Sequence, residues 1–278
     1  MNIVVCIKQV PGTTNAEMDP ETGVLKRDNI PAKLNPYDLF ALEAAFRIRE
    51  QAGGRVAAIT MGPPAAEAAL LEAVYMGADE GVLLTDRRFA GADVMATSYT
   101  LSQGIRALGA FDLVLCGKQT TDGDTAQVGP EIAEFLGLPH CANVVELPIV
   151  ELQGAELPGA ELQGAAFASS VIVKTAMETV VQTQRIQLPC LLGMDRDIFT
   201  PRLPSYLRKK RMTGALVRTL TLDDLEDQDP ERYGLSGSPT QVERIYPPES
   251  DAEQHVVGGT AEELSAELLQ VLDRFRLV

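Results

Sequence analysis

The stretch Gly117 to Pro130 (GKQTTDGDTAQVGP) carries the densest set of groups able to hold a phosphate. It follows a short apolar run at 112–116 (DLVLC) and precedes a helix-length segment. Gly117 and Gly123 allow a ligand close to the backbone. Thr120, Thr121 and Thr125 supply hydroxyls, and Gln119 and Gln127 supply donor amides. Backbone N–H groups converging where a helix begins form an anion cradle without fixed cations. The pattern is not a Walker loop, because the GK pair lacks the preceding glycine and the following Ser or Thr, and it is not GxGxxG. Asp122 and Asp124 would repel a phosphate, so they are expected to point away, cap the turn or meet a ribose hydroxyl. The competing reading is a plain polar loop between a strand and a helix.

Two more polar segments follow apolar runs. Asn35-Pro36-Tyr37-Asp38 offers either a binding edge or a simple helix start, with Asn35 as N-cap and Pro36 at the first helical position. Residues 85–98 (TDRRFAGADVMATS) supply Arg87, Arg88, Asp93, Thr97 and Ser98, suited to a second phosphate or the polar edge of a flavin. The competing reading there is a capped helix with a solvated arginine pair. Three polar loops after the carboxyl ends of strands in one sheet point together to a nucleotide site. No Ser-His-Asp order, Cys-His pair or metal-ligating cluster accompanies them, so no catalytic side chain and no metal is expected. Redox chemistry here would have to be carried by a cofactor.

The elements that position these loops are legible from periodicity. Apolar runs at 2–7, 55–61, 80–84 and 112–116 read as strands, and the segments 36–52, 64–76, 92–108 and 127–136 between and after them read as helices. That alternation predicts an α/β fold: a doubly wound, mostly parallel sheet with helices on both faces. Ligands in such sheets sit at the carboxyl ends of the strands. Beyond about 145 the pattern changes. Residues 151–164 repeat a five-residue unit (ELQGA, ELPGA, ELQG), read as a surface insertion. Residues 170–175 and 179–186 read as a β-hairpin, and 188–194 as a buried strand. Thr260 to Glu263 is a capping box opening an amphipathic helix with Leu264, Leu268, Leu272 and Phe275 on one stripe. The expected division is a nucleotide-binding α/β domain over 1–200, with a hairpin insertion at 145–187, and a recognition loop with C-terminal extension over 201–278.

With 24 basic and 39 acidic residues the chain carries a net charge of −15, which argues against nucleic acid or an anionic membrane as partner. No run approaches the ~20 apolar residues of a membrane span. The N-terminus reads as a strand, not a signal peptide, and four scattered cysteines (Cys6, Cys116, Cys141, Cys190) fit reduced thiols, so a cytoplasmic location is expected. One stretch opposes the overall charge: Arg202, Arg208, Lys209, Lys210 and Arg211 stand with no acid between them and flank Tyr206-Leu207, as in a protein-docking element.

These segments resemble the β subunit of electron-transfer flavoprotein, of the bifurcating or nitrogen-fixation-associated type. The resemblance rests on IVVCIKQVP at 3–11, NPYDLFALEAA at 35–45, TMGPP at 60–64, MGADEGVLLTDRRFAGAD at 76–93, CGKQTTDGDTAQVGPEIAEFLG at 116–137 and GSPTQV at 237–242. The FAGAD…ATS loop at 89–98 points to the bifurcating branch. Departures are VPGTTN at 10–15, Val94-Met95 where Thr-Leu is usual, the 151–164 insertion and the more basic loop at 201–212.

The resemblance implies a heterodimer with an FAD-binding α subunit. It implies FAD in the β subunit, where ordinary members of the family hold AMP, with NAD(H) docking transiently as electron donor. The nucleotide is then expected to touch Cys6, Asn35, Pro36, Tyr37, Asp38, Met61 and the run Gly117, Lys118, Gln119, Thr120, Thr121, Asp122, Gly123, Asp124, Thr125, Ala126, Gln127, Val128. Asp93 and Thr97 are assigned to the flavin end. Arg202, Tyr206, Leu207, Arg208 and Lys209 are assigned to partner recognition. Electrons from NADH would divide between the α-subunit FAD, serving a dehydrogenase or quinone oxidoreductase, and a ferredoxin or flavodoxin. The alternatives are a non-bifurcating subunit with a structural AMP and, more distantly, a stand-alone nucleotide-binding protein.

Overall fold

The β-branched run Asn2–Cys6 forms strand β1 in the interior of a nine-stranded sheet. The structure, a computed structural model, describes residues 1–12, 32–147, 170–212, 214, 216–243 and 256–277. The pentapeptide repeat at 151–164 lies outside the described residues. Besides β1 the sheet contains β4 (Arg55–Met61), β5 (Glu80–Leu84), β6 (Leu113–Gly117), β7 (His140–Glu146), β8 (Ser170–Ala176), β9 (Val181–Gln187), β10 (Cys190–Met194) and β11 (Val217–Leu220). Their spatial order is β11-β5-β4-β1-β6-β10-β7-β8-β9. Every pairing from β11 to β7 is parallel, and β7-β8-β9 continues antiparallel. A separate antiparallel ribbon joins β2 (Gln9–Pro11) to β3 (Ala32–Leu34).

Parallel strands need crossovers, and helices provide them. Helices α1 (Pro36–Ala52) and α2 (Glu67–Met76) bury Leu42, Phe46, Leu70 and Val74 in one core, with Ile3 and Val5 of β1. Helices α3 (Val94–Ala107) and α4 (Val128–Leu136) bury Ile105 and Ile132 in a second core, with Val4 and Cys6. Alternate residues of one strand thus serve opposite faces, which is the doubly wound α/β arrangement expected. Neighbours of β1 run away in both directions, β4 on one side and β6 on the other, so the sheet has its switch point at the carboxyl ends of β1 and β6.

Several elements were not anticipated, the ribbon strands β2 and β3 among them. Strand β7 has no clean alternation, because Asn143 adopts a positive φ of 55° and the register with β10 shifts there. Strand β11 is only four residues long and gains its identity from pairing in register with β5. The basic segment contains a short helix, α5 (Tyr206–Arg211), capped by Ser205 Oγ accepting from the Arg208 amide at 3.2 Å.

Residues Met1–Val242 form one compact unit and Glu243–Val278 a second. In the second, α6 (Ala261–Arg274) opens with the expected capping box: the Thr260 amide donates to Glu263 at 2.8 Å, and the Glu263 amide donates to Thr260 Oγ1 at 3.4 Å. Among the described residues no helix is long and apolar enough to cross a membrane, and no cluster of potential metal ligands occurs.

Candidate nucleotide site

A cavity of about 390 Å³ opens at the switch point. Its floor is Cys6 at the end of β1 and Cys116-Gly117 at the end of β6, and its walls come from α1, α3 and the loop leading into α4. The volume falls within the ~300–1,000 Å³ of small-molecule sites. Of the predicted residues, Cys6, Asp38, Met61, Asp93 and Thr97 line it, as do Gly117, Lys118, Gln119, Thr120, Gly123 and the run Thr125 to Val128. Asn35, Pro36, Tyr37, Thr121, Asp122 and Asp124 do not line it. The structure therefore brings the three polar loops to one place, but not through every residue named. Ile7, Lys8, Ala92, Val94, Leu101 and Gly129 also line the cavity and were not assigned to the site.

Close packing explains the glycines. A Cβ on Gly117 would lie 2.5 Å from Asp38 Oδ1, and one on Gly129 would lie 2.6 Å from Cys116 Sγ. Beta carbons do not approach so closely, so the start of α4 rests on β6 only because residue 129 has no side chain.

The loop keeps its amides available. The Lys118 amide bonds to Met194 O, that of Thr121 to Asn35 Oδ1 and that of Asp124 to Thr120 O. Among the described residues, the amides of Gln119, Thr120, Gly123, Thr125, Ala126 and Gln127 have no hydrogen-bond partner. Asp124 and Ala126 take left-handed φ values of 49° and 56°, while Gln127 is right-handed, and alternation of this kind turns successive N–H groups toward one concavity. These amides, at the N-terminal end of α4 and beside an apolar wall of Met61, Val94, Leu101 and Val128, fit a nucleotide with its phosphoryl groups.

The acids near the loop are restrained. Asp122 meets Lys8 Nζ at 2.7 Å, and Asp124 Oδ1 accepts from Gln119 Nε2 at 2.9 Å. Burial works to raise the Asp122 carboxyl, but donors led by Lys8 hold it below the usual carboxylate range.

Asn35 departs from expectation. Its side chain caps no helix; it is buried and spans to the loop, donating to Gln119 O at 2.9 Å and accepting from the Thr121 amide at 3.2 Å. Pro36 does occupy the first helical position. Asp38 faces the end of β1, accepting from the Lys8 amide at 2.7 Å. Burial pushes its carboxyl up to about 7, against opposing hydrogen bonds from Asn35, Lys8 and Gly117. The neighbouring thiols of Cys6 and Cys116 are raised as well, mainly by burial, Cys116 to about 12.

At the other end of the cavity Asp93 caps α3, accepting from the Ala96 amide at 3.0 Å. Arg87 and Arg88 do not line the cavity, and Arg88 is bound to Asp86 and Asp223.

The basic segment divides. Arg202 turns inward, donating to Glu43 at 2.8 Å and Glu50 at 2.7 Å. Arg208 donates to the carbonyls of Val74 and Ala78, both at 2.7 Å, at the end of α2. Lys209 lies 5.6 Å from the Tyr75 ring centroid. Tyr206 and Leu207 remain outward, 74% and 60% exposed.

The pattern described as the electron transfer flavoprotein domain matches residues 22–225. The chain belongs to the electron transfer flavoprotein family. It is 40% identical over 275 residues to the electron transfer flavoprotein subunit beta of Clostridium acetobutylicum, covering 98% of each chain. It is 41% identical over 273 residues to protein FixA of Azorhizobium caulinodans, covering 97% of this chain and 92% of the other. It is 39% identical over 282 residues to the caffeyl-CoA reductase-Etf complex subunit CarD of Acetobacterium woodii, covering the whole of both. Its function is that of a β subunit of this family, electron transfer.

Proposed function

We propose that the chain is the β subunit of a heterodimeric, bifurcating electron-transfer flavoprotein, holding FAD in the cavity at the switch point and drawing electrons from NADH. The observation that carries this reading is the set of unpartnered amides between Gln119 and Gln127 beside a cavity that continues to the start of α3. The cradle suits the phosphoryl groups, and Ala92, Asp93, Val94 and Thr97 form the wall at the proposed flavin end. Support also comes from the full-length similarity to an Etf subunit of a caffeyl-CoA reductase complex and to FixA.

A flavin bound here would supply the redox chemistry, the exchange of a two-electron donor for one-electron acceptors. The chain's own residues bind and orient. The loop amides bind the phosphoryl oxygens, Asn35 and Asp38 hold that loop and the end of β1 in place, and Met61, Leu101 and Val128 exclude water. No side chain acts as acid or base in this account.

The α subunit is the proposed constant partner, and the apolar stripe of α6 is suited to it. Tyr206 and Leu207 are the proposed anchors for a dehydrogenase or quinone oxidoreductase, with Arg202 and Arg208 fixing the segment from behind. Ferredoxin or flavodoxin is the proposed low-potential acceptor.

The test is the nucleotide content of purified αβ heterodimer. A second flavin per pair, bleached by NADH, is the expected result. A single flavin accompanied by AMP, with no bleaching, would instead identify a non-bifurcating subunit, and absence of any nucleotide from the β subunit would overturn the cradle itself.

A further inference from the structure

The run GSPTQV at 237–242 has no part in the cradle, yet it is bound to the rim of the cavity. The Asp93 amide donates to Ser238 Oγ at 2.8 Å, and Ser238 Oγ donates in turn to Gly234 O at 2.7 Å. The Thr240 amide and Oγ1 both donate to Asp93 Oδ2, at 3.0 and 2.7 Å. Oδ1 is taken by the Ala96 amide at 3.0 Å, and the Leu235 amide bonds to Ala90 O at 3.0 Å. Both carboxylate oxygens of Asp93 are thus engaged by the chain itself. Burial works to raise this carboxyl, but the Ala96 and Thr240 donors lower it below the usual range, so it remains ionised and a good acceptor. Ser238 is buried and Thr240 exposed, so the strap has an inner and an outer anchor.

We propose that Asp93 is a positioning residue, not a ligand contact, and that residues 238–240 are a strap which, through Asp93, fixes the start of α3 as the wall of the cofactor cavity. The proposal refines the assignment of Asp93 to the flavin end and rests on the functional reading above. Charge explains why such a strap is needed. An unrestrained carboxylate at this rim would be free to turn into the cavity toward the phosphates of a dinucleotide; with three donors around it, it stays in place and presents α3 instead. Hydrogen bonds to a charged group are the stronger kind and suit a helix start that must be held against local opening.

The experiment uses the intact αβ heterodimer with Thr240→Val, Thr240→Ser and Asp93→Asn. Amide hydrogen exchange is followed at Ala96 and Thr97, and FAD retention is followed by the fluorescence of flavin released on dilution. Thr240→Val should speed exchange at these amides and FAD release by about tenfold each, as expected for loss of one charge-assisted bond. Thr240→Ser, which keeps the hydroxyl, should restore both. Wild-type exchange rates in Thr240→Val would overturn the strap. FAD loss in Asp93→Asn together with normal retention in a loosened Thr240→Val would overturn the positioning role and make Asp93 a direct contact. A wild-type heterodimer without β-bound nucleotide would sink the functional reading alone, since the exchange rates still decide whether the strap holds α3.

Discussion

Asn35 Nδ2 donates to the main-chain oxygen of Gln119 at 2.9 Å, and its Oδ1 accepts from the Thr121 amide at 3.2 Å, a reach of more than eighty residues along the chain. One buried carboxamide therefore ties down a loop in which, among the described residues, the amides of Gln119, Thr120, Gly123, Thr125, Ala126 and Gln127 have no partner. Asn35→Ala should destabilise the protein by about 1–3 kcal/mol, because the Gln119 carbonyl and Thr121 amide lose their partner. It should also weaken nucleotide retention, although Asn35 does not line the cavity. Denaturant unfolding and nucleotide content after desalting check both.

Two glycines separate folding from binding. A Cβ at Gly129 would stand 2.6 Å from Cys116 Sγ, whereas at Gly123 the nearest atom is Thr120 Oγ1 at 3.9 Å. Gly129→Ala should cost about 1–3 kcal/mol by overpacking, and Cys116→Ala on the same chain should recover part of it. Gly123→Ala should leave unfolding within ~0.5 kcal/mol of wild type while reducing nucleotide retention. Equal nucleotide retention in wild type and Gly123→Ala would remove the phosphate from this part of the loop.

Asp38 gives a pH signature. Burial raises its folded-state value to about 7 from 3.8, so its contribution to stability is fully present below pH 3.8 and is lost as pH rises through 7. The nucleotide-free protein should lose about 1 kcal/mol between pH 6 and pH 8 that Asp38→Asn does not lose. The groups facing this carboxyl are Lys8 and the thiols of Cys6 and Cys116. Parallel stability profiles for the two proteins would exclude Asp38 as the source.

The basic segment should behave as two sets. Arg208→Ala removes three bonds to the carbonyls of Val74, Gly77 and Ala78, and should destabilise the chain by about 1–2 kcal/mol. The double substitution Tyr206→Ala and Leu207→Ala should leave stability within ~0.5 kcal/mol, because both side chains are exposed, and should slow electron delivery to the acceptor dehydrogenase. Thermal unfolding and transfer rates distinguish the two sets.

The sequence by itself determined the α/β class, the helices over 36–52 and 127–136, and the Thr260 capping box, because periodicity and capping depend on residues within a few positions of one another. It also marked 117–128 as the candidate binding loop, since glycines and hydroxyls between a strand and a helix are a local pattern. Only the tertiary structure decided that Asn35 spans to that loop and does not cap α1, that Lys8 restrains Asp122, that Arg202 turns inward to Glu43, and that Thr240 secures Asp93. The same holds for β11, which becomes a strand through its register with β5. These relationships join segments that the crossovers of a parallel sheet bring together, and which side chains meet there is set by strand order, a property no short window of sequence contains.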